Sequence, residues 1–211
     1  MALKDFWVAV RRRALLIAPS VPANKPNAAR THRSRTRGHV WLTPACVAGF
    51  NPADFAFLPA EELHSLQSHV NAFLAVANTV PISGRVTAKQ AKEGFRHFWE
   101  IVDIMAFEKY EDPDAFEIGK RLEQAIAGKL PRWVRAMRFR TGIDSIGDPA
   151  IWIFVELEDR AAQRHIRERN VGGVETLLTD ALQVLNVPLW PFMRFRSTSG
   201  EKEAQRIRLS V

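Results

Sequence analysis

One cysteine in 211 residues, Cys46, cannot form an internal disulfide, which excludes a small secreted domain held by cross-links. No apolar run approaches the roughly eighteen residues of a membrane-spanning helix. The longest, such as Ile151–Val155, have the length of a buried strand. Serine-hydrolase elbows, phosphate-cradling glycine loops and dinucleotide fingerprints are missing. No cysteine pair and no His–Glu pair falls at metal-ligand spacing, so neither a metal site nor a cofactor is expected. Acid is nearly missing from the first fifty residues, which hold nine Lys and Arg but one acid, Asp5.

What is present is apolar: 46% of the chain, with 13 Phe and six Trp, enough for a sizeable core. The formal net charge is +7, unevenly spread. Residues 1–50 carry +8, and residues 51–211, with 21 basic and 22 acidic side chains, carry −1. The high basicity thus describes an N-terminal arm and not the globular body. Arg30, Arg33, Arg35 and Arg37 crowd into eight residues of that arm. Leu3, Phe6, Trp7 and Val10 fall at helical spacing and allow a short amphipathic helix. The proline-bearing remainder buries too little surface to offset its ordering entropy, so residues 1–50 read as a disordered arm. Its use stays open between phosphate contact, organelle targeting and an extension with neither role.

From about 57 to 130 the pattern is helical. Pro59 with Glu61 and Glu62, Thr87 with Gln90, and Asp112-Pro113 are three helix starts, each followed by an apolar stripe at helical spacing. His64 and His69 are five apart and His97 stands alone, which aligns no ligand pair. From about 131 to 198 the period changes to two. Ala136–Thr141 and Ile151–Leu157 read as an antiparallel hairpin with a long loop. Val174–Leu185 reads as a helix and Leu189–Ser197 as a last strand. The order α-α-α-β-β-α-β predicts an α+β fold, with residues 51–199 as one compact domain and 200–211 as a polar tail.

An internal echo points to a surface. Met137-Arg-Phe-Arg-Thr141 recurs as Met193-Arg-Phe-Arg-Ser197. Alternation sends Met and Phe to one face of a strand and the arginines to the other. With both strands in one sheet, Arg138, Arg140, Arg194 and Arg196 share a face with Trp152 and Phe154. Such a face suits a binding surface, either for nucleic acid through base stacking and phosphate contact or for a protein. The expected partner is another protein or a second copy of the chain, with nucleic acid as a further option and no membrane. The setting is expected to be cytoplasmic.

Two constellations offer chemistry instead. Asp144 and Asp148, four apart in the hairpin loop, could act as a carboxylate pair, although aspartates in turns commonly accept local amide hydrogen bonds. Arg160-Ala-Ala-Gln-Arg-His165 resembles the Arg-x4-His spacing of HEPN ribonucleases over six residues. That resemblance implies a small metal-independent ribonuclease working through Arg160 and His165. The favoured reading is a non-catalytic binding or assembly module.

Overall fold

The computed structural model describes residues 2–17, 42–80, 86–159 and 171–199. Among them are five α-helices and one three-stranded mixed sheet, an α+β fold. The chain divides into two compact units, Met1–Phe107 and Glu108–Val211.

The first unit holds α1 (Ala2–Ile17), two short 3-10 turns (Pro44–Val47 and Pro52–Phe55), α2 (Ala60–Asn78) and α3 (Ala88–Met105). A capping box opens α3: Thr87 Oγ1 accepts the Gln90 N–H at 3.2 Å, and Gln90 Oε1 accepts the Thr87 N–H at 2.9 Å. Its core joins Leu66, Val70 and Phe73 of α2 to Phe98, Ile101 and Met105 of α3.

Residues 2–17 and 42–50, expected to belong to a disordered arm over 1–50, are ordered, and residues 18–41 lie outside the described residues. Phe6, Trp7, Val10 and Ala14 of α1 are buried, Trp7 to 2% exposure, and so are Leu42, Cys46 and Val47. Phe6 meets Phe55 edge-on at 5.5 Å between ring centres, and Trp7 meets Phe107 at 4.4 Å. The helical stripe is legible in sequence. Its partners are not, because they lie tens of residues away. Arg30, Arg33, Arg35 and Arg37 lie outside the described residues.

The packing of α2 on α3 brings together two histidines that their spacing kept apart. His69 and His97 place their Nδ1 atoms 3.0 Å apart, while Arg96 Nη2 donates to His97 Nε2 at 3.0 Å. A guanidinium can only donate, so His97 carries its proton on Nδ1 and gives it to His69. His97 is 8% exposed, and its pKa is lowered, first by burial, then by Arg96 and His69, against Glu93 and Glu100, which raise it. The unfolded chain therefore takes up a proton near the usual value of about 6.5 that the folded unit refuses, so stability falls as pH drops through that value. We expect the melting temperature to fall between about pH 7.5 and pH 5.5, and the fall to shrink in His97→Gln. An equal fall in that variant would assign the effect to other groups.

The second unit holds α4 (Pro113–Ala125), β1 (Val134–Ile143), β2 (Pro149–Leu157), α5 (Gly172–Val184) and β3 (Trp190–Ser197). The strand order is β1-β2-β3, with β1 and β2 antiparallel and β2 and β3 parallel. A parallel pair needs a crossover, and α5 lies in that connection. The spacing groups α4 with the preceding helices, up to residue 130. In the structure it belongs with the sheet, because Asp112 anchors it there. Asp112 Oδ1 accepts the Ala115 N–H at 2.8 Å as the helix cap and the Thr141 hydroxyl at 2.6 Å. Its Oδ2 accepts the Thr141 N–H at 2.8 Å. The outer edge of β1 is occupied too: Phe139 N–H donates to the Lys109 carbonyl at 2.9 Å, and Glu111 N–H donates to the Phe139 carbonyl at 3.0 Å.

Candidate functional site

Strand register decides which side chains share a face. Met137, Phe139, Ile151, Ile153, Val155 and Leu157 point inward and are buried. Gly119 of α4 sits over Phe139 on that side. The opposite face carries the arginines.

On it Arg138 lies opposite Phe154 and Arg140 opposite Trp152. Across the parallel pair, Phe154 lies opposite Arg194, Trp152 opposite Phe192, and Glu156 opposite Arg196. All six residues expected to share a face do so. Arg138 and Arg196 each hold a guanidinium 5.7 Å from the Phe154 ring centre, and Arg140 stands at the same distance from Trp152. Phe154 is only 9% exposed. The indole of Trp152 stacks on the Phe192 ring with centres 5.7 Å apart and planes 15° off parallel. Gly142 makes room beside it, since a Cβ there would lie 3.2 Å from the indole. Trp152 and Phe192 are half-buried, whereas Arg140 and Arg194 are exposed.

Two ring residues of this face, Phe192 and Trp190, escape the motif-based reading. The echo starts at Met193, which hides them. Carrying the same alternation back along β3 would have placed both rings with Arg194 and Arg196. At the hairpin end of the sheet, a cleft of about 450 Å³ lies between α4, the β1–β2 hairpin and residues 186–189. Its lining includes Asp114, Glu117, Arg121 and Ile143. Arg121 there donates to the Leu185 carbonyl at 3.2 Å and lies 3.9 Å from Glu117.

Of the two loop aspartates, Asp144 has a structural task. Strand pairing continues to Ile143 opposite Pro149, so the connection is shorter than the long loop expected. Asp144 Oδ1 accepts the N–H groups of Ile146 and Asp148, both at 2.9 Å, and Gly147 takes a φ of +96°. That is turn chemistry, with glycine in the left-handed region. Arg160 and His165 lie outside the described residues. Among the described residues no group of three or more His, Cys, Asp or Glu could hold a metal ion, and no helix is long and apolar enough to cross a membrane.

No protein-family model matches the chain, and no curated protein or solved structure is detectably similar to it.

Proposed function

We propose that the second unit is a non-catalytic binding module, and that its arginine–aromatic face takes up a single-stranded nucleic acid. The supporting observation is the register that sets Trp152, Phe192 and exposed Arg140 in one row across the sheet, with the two rings stacked and exposed Arg194 next on that face along β3. Half-open rings offer a plane to a base, and guanidiniums beside them offer donors to phosphates. Phe154, under two guanidiniums, is not the stacking ring. A cytoplasmic setting belongs to the same reading, with the lone cysteine held as a buried thiol.

Anisotropy of a labelled single-stranded RNA on the full chain tests this. Binding should weaken with salt, and Arg140→Glu with Arg194→Glu should weaken it at least about tenfold and flatten the salt slope. Trp152→Ala should cost about 1–3 kcal/mol of affinity. Unchanged affinity in the double variant would remove this face from the interaction and leave the Arg30–Arg37 segment to account for it. Shortening of the RNA would instead support the ribonuclease alternative that rests on Arg160 and His165.

A second reading has its own observation. Guanidiniums laid over Phe154 shield an apolar ring, as they do on a face built to meet a protein. Absence of RNA binding by the wild-type chain would favour it.

A further inference from the structure

The two edges of the sheet are treated differently. The outer edge of β1 is hydrogen-bonded to Lys109 and Glu111. Among the described residues β3 pairs only with β2. Its side chains are also less covered. Met193 and Phe195 are half-buried, while their echoes on β1, Met137 and Phe139, are buried. Trp190, at the start of β3, is 66% exposed. An eight-residue edge strand bearing Trp190, Phe192, Met193 and Phe195 offers a template for another strand, with Pro191, Arg194 and Arg196 restricting the registers it accepts.

We propose that this edge pairs antiparallel with β3 of a second copy, about a two-fold axis at Met193. The occupant is argued from the order of residues along the strand. On the arginine face, rings come first, Trp190 and Phe192, and arginines second, Arg194 and Arg196. Running two copies antiparallel about Met193 sets Arg194 opposite Phe192 of the second copy and Arg196 opposite its Trp190. On the inward face Met193 meets Met193, and Phe195 meets Pro191. The pairing spans Trp190–Arg196 in both copies.

The same cross-strand chemistry already exists within the unit. In the antiparallel pair of β1 and β2, Arg138 lies opposite Phe154 and Arg140 opposite Trp152, each with its guanidinium 5.7 Å from the ring centre. Other registers are poorer. An axis at Arg194 opposes that arginine to its own copy, and directly opposed like charges destabilise a sheet. An axis at Phe192 shortens the overlap to Trp190–Arg194. An axis between residues would set arginine-face residues against inward ones. Pro191 has no N–H to donate, so each of the two Pro191–Phe195 pairs keeps one ladder hydrogen bond, from the Phe195 N–H to the Pro191 carbonyl. The product is a continuous six-stranded sheet, which doubles the arginine–aromatic face.

Sedimentation equilibrium of the full chain, without nucleic acid, gives the first test. A mass of twice 23.9 kDa at micromolar concentration is expected, and a monomer throughout would overturn the proposal. Phe192→Arg should weaken association at least about tenfold, because it sets arginine against Arg194 at two symmetric positions. Unchanged association would reject the Met193 axis. In a Cys46→Ala background, Met193→Cys should oxidise to a linked dimer, since opposed Cα atoms lie about 4.5–5.5 Å apart, within disulfide reach. Arg194→Cys should not link, and linkage there instead of at 193 would assign the wrong axis. These readouts contain no RNA, so they stand or fall separately from the nucleic-acid reading.

Discussion

Replacing Trp7 by alanine should destabilise the first unit by about 3–5 kcal/mol, seen as a lower urea midpoint. The indole is 2% exposed and lies edge-on to Phe107 at 4.4 Å. Truncation removes its transfer free energy and leaves a void whose walls relax only in part. Against a total stability of about 5–15 kcal/mol the loss is large. The expected size follows from α1 being part of the core, with Phe6, Val10 and Ala14 buried beside it along one helical stripe. A disordered arm would give no change at all. A loss below about half a kcal/mol, the usual limit for a surface substitution, would restore that view of residues 2–17.

Gly119→Val should also destabilise the second unit, by the opposite route. A Cβ at Gly119 would lie 2.7 Å from the Tyr110 ring and 2.9 Å from that of Phe139. Neither ring can step aside cheaply. They stack on one another with centres 5.7 Å apart, and the Tyr110 hydroxyl donates to Glu123 at 2.7 Å. Phe139 is also fixed in β1 by its backbone bonds to Lys109 and Glu111. Overpacking of this kind costs about 1–3 kcal/mol, and the branched side chain should reach or pass the upper end. Gly119→Ala should fall lower in that range. Urea denaturation compares the two, and a neutral alanine variant would mean that α4 is not held against β1 this closely.

Much of the fold was legible because it depends on short-range periods. The capping box at Thr87 and Gln90, the Asp112-Pro113 start and the period-two strands are local statements, and each appears where the pattern places it. The shared face of Arg138, Arg140, Trp152, Phe154, Arg194 and Arg196 was legible for the same reason, once the echo put both arginine strands in one sheet. Less legible were features that join distant residues. The stripe of α1 could be read, but not that it meets Phe55 and Phe107. His69 and His97 looked unrelated at 28 residues apart and share a hydrogen bond. Asp112 read as a helix cap, and its second carboxylate oxygen proves to hold Thr141. Asp144 read as a candidate acid, and its geometry is that of a turn acceptor.

By itself the sequence determined which residues alternate, where helices begin, and that arginines and rings fall on one side of their strands. Side-chain direction in a strand or helix follows from backbone geometry that repeats every few residues. Only the tertiary structure decided that β3 runs parallel to β2, that α4 belongs with the sheet, and that Trp152 stacks on Phe192. Those outcomes rest on contacts between residues far apart in the chain. One apolar stripe fits many partners, and the full set of packing and hydrogen-bond demands selects among them.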